Sequence, residues 1–158
     1  MSNIVMSRVD FRLIHGQVIT KWLKYYPAKK VVIVDDLLAE DEFMAEIYKM
    51  AIPQGLVLDI LSTHELADYL ENNQEDLFLL FKSIETAYQM IKQGIRLPQL
   101  VVGGVPSESG KKMVFSGVYL NKMELEQLQE LESLGVPISF ATTPDDKSTQ
   151  LASIRESL

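Results

Sequence analysis

Cysteine is absent from the 158-residue chain. That excludes a disulfide framework, a thiolate metal site and a thiol nucleophile. Long hydrophobic runs are missing too. The greasiest stretch, "LFLLF" at 77–81, has strand length and falls far short of a membrane span. The opening "MSNIVMSR" shows no basic region followed by an apolar core, so no secretory signal is visible. Positive charge is in deficit: 15 Lys and Arg stand against 22 Asp and Glu, for a net charge of −7. A nucleic-acid binder would show a basic stripe, so no nucleic-acid partner is expected. Histidine occurs only twice, and no His, Asp and Glu cluster has metal-ligand spacing. Neither a metal nor another cofactor is expected. These absences favour the cytoplasm.

What remains is 47% apolar and 23% charged, the balance of a globular protein, and its length suits one domain spanning 1–158. Short apolar runs alternate with helical periods. "IVMSRV" (4–9), "KVVIVDD" (30–36), "LVLDIL" (56–61), "LFLLF" (77–81), "QLVVGG" (99–104) and "VPISFA" (136–141) read as strands. Between them, Val18, Ile19, Trp22, Leu23 and Tyr26 give a first helix a core-facing stripe. Phe43, Met44, Ile47, Met50 and Ala51 do so for a second. Ser62 with Glu65 forms a capping box before Leu66, Ala67 and Leu70. Ser83 can cap a helix that Gly94 stops, and Asn121 one whose Leu125, Leu128, Leu131 and Leu134 face inward. The alternation predicts a doubly wound α/β fold: a mostly parallel open sheet with helices on both faces. "MVFSGVYL" reads as a short edge strand or hairpin in the C-terminal third.

In such a sheet, ligands collect outside the carboxyl ends of the strands where strand order reverses. The first strand-to-helix turn, "RVDFRLIHGQV" (8–18), carries one imidazole there. The helix that follows lacks an evident Ser, Thr, Asp or Asn cap, so an anion can accept from the amides of Gly16, Gln17 and Val18. Imidazole is a good nucleophile near neutral pH. His15 reads either as an ordinary surface or helix-start residue or as the carrier of a phosphoryl group, whose charge the planar fork of Arg12 would meet. Gly16 allows close backbone approach or positive φ. Asp10 is placed either to hold Arg12 or to orient one imidazole nitrogen; the sequence leaves both open.

Other polar residues have ordinary readings beside functional ones. Asp35 and Asp36 end strand two and face the same crevice, to orient Arg12 or simply open a loop. Lys82 could add to a positive rim, and Ser83 is explained by capping. Gly103 could allow phosphate to approach the backbone, although turn glycines are the default. "GGVPSESG" is no nucleotide loop, since no Gly-Lys-Ser/Thr follows. Lys111 and Lys112 read as a solvated pair. His64 sits at a helix start; with strand order 3-2-1 it would lie two strands, roughly 10 Å, from His15. Trp22 and Tyr26 read as core.

"SRVDFRLIHGQV" closely resembles the phosphorylation loop of the IIB component of the mannose/fructose/sorbose family of bacterial phosphoenolpyruvate-dependent sugar phosphotransferase systems. "VVIVDDLLAEDEF" (31–43) and "LPQLVVGGVPSESGKKMVFSGVYL" (97–120) resemble later family segments. The resemblance implies that His15 is the phosphoacceptor, through Nδ1, and that Arg12 contacts phosphate. It implies a relay in which IIA phosphohistidine donates to His15, and His15 passes the group to a sugar held by membrane subunits IIC and IID. The chain would then sit in the cytoplasm at the inner face of the plasma membrane. Phe11 and Val101 depart from the family pattern, which often has an acidic residue and asparagine there. The competing reading is a regulatory module that binds a phosphorylated ligand or partner at the His15 loop without turnover. The sequence identifies no sugar and leaves homodimerisation open.

Overall fold

The computed structural model describes residues 3–16 and 18–154. Its main sheet has seven strands in the order β3-β2-β4-β1-β5-β8-β9. They are β1 (Asn3–Asp10), β2 (Lys30–Val34), β3 (Val57–Leu61), β4 (Asp76–Phe81), β5 (Leu100–Gly104), β8 (Ile138–Phe140) and β9 (Thr149–Gln150). All neighbours run parallel except β9, which pairs antiparallel with β8 and forms an edge the sequence did not announce. β6 (Lys112–Phe115) and β7 (Val118–Leu120) make a separate hairpin, tied to the end of β5 by a bridge between Val105 and Val118.

The β1 strand is central, paired in parallel on both sides, and it is buried from Met6 to Asp10. Its side chains alternate between two cores. Val9 joins one with Val32, Val34, Leu79 and Phe81, beneath α4 (Leu66–Asn72), α5 (Ile84–Lys92) and α6 (Lys122–Ser133). Met6 joins the other with Val31, Ile33, Phe78 and Leu80, beneath α1 (Val18–Tyr25) and α3 (Glu42–Ala51). Period-two sorting thus operates inside strands that are largely apolar. The predicted doubly wound architecture is therefore present.

Three local readings change. The order is not 3-2-1: β4 lies between β2 and β1, because its all-apolar "LFLLF" needs a neighbour on each side. On α3 no residue is fully buried; Met44 and Tyr48 pack inward while Phe43, Ile47 and Met50 face out. Leu134 is exposed as well, since α6 ends one residue earlier and Gly135 (φ +98°) turns the chain. Of the predicted caps, Asn121 and Glu124 form a full capping box and Ser83 accepts from Thr86 N. Before α4 only half the box exists: the Glu65 carboxylate accepts from Ser62 N, and the serine hydroxyl makes no cap.

Candidate functional site

At the carboxyl end of β1 the chain turns sharply. Leu13 N donates to Asp10 O at 2.9 Å, and Phe11 N to Gly104 O at 3.1 Å. Leu13 and Ile14 then plunge into the core beneath α1. Anchoring those two apolar side chains leaves their neighbours Arg12 and His15 facing outward. The arrangement has a backbone cost: Leu13 has φ +59°, a left-handed conformation that costs a side-chain-bearing residue about 1–2 kcal/mol.

Asp10 is the hub. Its side chain is 1% exposed, and it accepts five hydrogen bonds. Arg12 supplies three of them, from its backbone N–H (3.0 Å), Nε (2.9 Å) and Nη2 (3.0 Å). Arg8 Nη2 lies 3.3 Å away and His15 Nε2 3.1 Å away. Burial alone would push the carboxyl up, but the Arg12 hydrogen bonds and the charges of Arg8 and Arg12 outweigh it and hold Asp10 below its ordinary value.

Behind Asp10 stands Arg8, itself 2% exposed. Its Nη1 donates to Ala141 O at 2.8 Å and its Nη2 to Thr142 O at 3.0 Å, and the guanidinium lies 4.8 Å from the Trp22 ring centroid. Trp22 Nε1 donates to the same Thr142 carbonyl at 3.0 Å. Burial brings the guanidinium down to about 10, opposed by Asp10. The space for this stack comes from glycine. A methyl group on Gly103 would sit 1.9 Å from Arg8 Nη2, and one on Gly104 would sit 2.5 Å from Asp10 Oδ1.

His15 is 23% exposed at its side chain. With Nε2 on Asp10, its Nδ1 makes no hydrogen bond among the described residues. The imidazole is thus oriented from one side and open at the other. Both placements the sequence left open for Asp10 are present: Arg12 spans its two oxygens, and Oδ2 also accepts from His15 Nε2.

The remaining candidates sort differently. Asp35 caps the short helix α2 (Asp36–Ala39) by accepting from Leu38 N, and Asp36 accepts from Thr63 N and Oγ1; neither touches Arg12. Ser83 is taken up by its cap. Lys82 is exposed and lines a cleft of about 310 Å³ with Phe11, Asp35, Leu37 and Pro106. Gly103 faces Arg8, so making room for that side chain replaces the expected turn or phosphate role; its carbonyl meets Arg12 Nη2 at 3.4 Å. Lys111 is largely buried on Glu124, 3.1 Å away, and is no solvated residue. Val101 is buried in the core beneath α1. His64 lines a separate hollow beside Glu65 and Asp68, and β3 stands three strands from β1, further off than expected. Gly16 has φ +49°. Gln17 lies outside the described residues, as does the Val18 side chain, while the Val18 backbone opens α1.

The sequence reading passed over Arg8. Its signal was a charge in the middle of an apolar central strand, two residues from an aspartate and so on the same face.

A parallel α/β sheet with a buried carboxylate at the end of its central strand, and an arginine and a histidine on the loop that follows, presents the groups that can meet a small anion where such sheets bind ligands. The model of the PTS system sorbose subfamily IIB component matches residues 4–157, and the chain belongs to this family. It is 32% identical over 151 residues to a sorbose-specific EIIB component of Lacticaseibacillus casei, covering 94% of this chain and 92% of that one. Among solved structures it resembles manxB from Thermoanaerobacter tengcongensis, with a TM-score of 0.94 and 36% identity over 99% of this chain and 96% of the other. The IIBSor domain of the Klebsiella pneumoniae sorbose permease matches with a TM-score of 0.90 and 31% identity over 99% and 98%. No helix among the described residues is long and apolar enough to cross a membrane.

Proposed function

We propose that this IIB component carries phosphoryl groups on Nδ1 of His15, taking them from a phosphohistidine on IIA and passing them to a sugar held by IIC and IID. One observation carries the reading: Asp10 Oδ2 engages Nε2 and leaves Nδ1 without a hydrogen bond among the described residues. In the neutral ring Nε2–H donates to Asp10, and the Nδ1 lone pair attacks phosphorus. The donor's P–N bond breaks as the new one forms, and no proton need move. Positive charge that develops on the ring is met by the Asp10 carboxylate, as a buried aspartate does for other catalytic histidines. Arg12, partly exposed beside the ring, meets the phosphoryl oxygens. In the second transfer the same bond breaks toward a sugar hydroxyl, whose proton leaves to a base outside this chain. Donor and acceptor both being histidine, the first step rests on positioning and charge stabilisation.

The test is transfer of labelled phosphoryl from IIA. The wild-type chain should gain one acid-labile phosphohistidine, with an NMR signature of Nδ1 substitution, and His15→Ala should gain none. Labelling that persists in His15→Ala would overturn the assignment.

A further inference from the structure

The apolar stripe that the sequence assigned to the core of α3 points to solvent. Leu37 on α2 is 80% exposed, Phe43 74% and Met50 82%, with Ile47 between the last two at 41%. Phe43, Ile47 and Met50 recur at helical spacing along about 10 Å of one helix edge. Large apolar side chains grouped on one face mark an interaction site. The face is not isolated. Leu37 on α2 lines a cleft with Phe11, Asp35 and Lys82, and Phe11 neighbours Arg12 on the reacting loop, so α2 links this side of the molecule to that loop. Glu40, Glu42 and Glu46 are exposed around it, and none makes an ion pair among the described residues. The face is thus apolar with a mainly acidic rim, in which Glu40, Glu42 and Glu46 outnumber the exposed Lys49 and the Lys82 of the adjoining cleft, unlike the reacting loop with its Arg12.

We infer that the α2–α3 face, centred on Leu37 and Phe43, docks the basic cytoplasmic loops of the membrane-embedded acceptor while His15 faces the sugar. This inference rests on the relay proposed above. Cytoplasmic loops of membrane proteins are enriched in Lys and Arg, the complement of this rim. Anionic lipid, by contrast, repels a chain of net charge −7, so contact must come from protein loops and not from the bilayer. A phosphorylated donor delivers a dianion and gains nothing from an acidic rim.

The experiment compares the wild type with Leu37→Asp, with Phe43→Asp and with the Glu42→Lys/Glu46→Lys pair, all exposed positions away from the reacting groups. Inverted vesicles with and without the permease subunits are used. Sugar phosphorylation from the pre-phosphorylated chain should show a KM raised about tenfold or more in the variants. Phosphorylation of His15 by the donor should stay within about twofold. Cosedimentation of the unphosphorylated chain should depend on the permease and fall in the same variants. Equal loss in both transfer steps would assign the face to the donor and overturn the inference, as would unchanged KM and cosedimentation, or binding to vesicles without permease. A wild type that cosediments but is never labelled at His15 would sink the relay and leave the surface standing.

Discussion

Asp10 and Arg12 meet at two points, Nε to Oδ1 at 2.9 Å and Nη2 to Oδ2 at 3.0 Å, while the Arg12 side chain stays 38% exposed. One edge of the guanidinium is fixed to the protein, and Nη1 carries no hydrogen bond among the described residues. A lysine would bring charge without a fork, so it could not hold the carboxylate at two points and still reach phosphate. Arg12→Ala is expected to slow donor-to-His15 transfer by about two to four orders of magnitude, and Arg12→Lys to recover only a small part. Rapid-quench transfer rates measure this; a lysine variant at wild-type speed would show that only charge matters.

Asp10→Asn separates charge from shape. The amide keeps the size but leaves the Arg8 guanidinium buried without its counter-charge, which costs about 3–5 kcal/mol when a buried pair is broken. The carboxyl is held below its ordinary value of 3.8, so its ionised form stabilises the fold fully above that pH and loses that contribution as pH falls through the folded-state value. Urea denaturation should therefore show a constant advantage of wild type over Asp10→Asn above about pH 5, narrowing progressively in stronger acid. A gap that stays the same width down to pH 2 would refute the ionic account.

Leu13 offers an inversion of the usual order of small residues. At φ +59° a β-carbon is strained, yet the leucine side chain is 3% exposed and anchors the loop. Truncation to alanine keeps the strain and loses the burial; truncation to glycine loses the burial but relieves the strain. Leu13→Ala should fall about 2–4 kcal/mol below wild type, and Leu13→Gly should be about 1 kcal/mol better than alanine. Calorimetric or urea unfolding decides it. Alanine outranking glycine would mean that the loop relaxes when the side chain goes.

Much of this architecture was legible because strand and helix signals were local. The run "KVVIVDD" could hardly be anything but a buried strand, and Asn121 with Glu124 announced a helix start that the structure builds in full. The outward face of α3 was not legible, since 3.6-residue periodicity reports that a stripe is apolar and says nothing about what covers it. Strand order failed for a similar reason: the position of β4 between β2 and β1 depends on pairing across the chain. At the loop, the residue types on one turn were readable, but the supports were not. Arg8 is held by the carbonyls of Ala141 and Thr142, more than 130 positions away, and a carbonyl carries no sequence signature.

Those distant supports make Gly103 the most revealing position to change. Its β-position lies 1.9 Å from Arg8 Nη2, 2.2 Å from Cζ and 2.5 Å from Nη1, well inside any tolerable contact. Arg8 cannot swing clear, because Ala141 O, Thr142 O and Asp10 fix its head and Trp22 lies against its face. Gly103→Ala should cost about 3 kcal/mol or more, toward the severe end for an added methyl. If the guanidinium is the obstacle, the cost must depend on its presence. In an Arg8→Ala background the same substitution should be tolerated with a penalty of about 1 kcal/mol or less, giving a double-mutant coupling of at least about 2 kcal/mol. Urea unfolding of the four chains completes the cycle. Equal costs in both backgrounds would place the clash elsewhere and remove Arg8 as the reason for glycine on this strand.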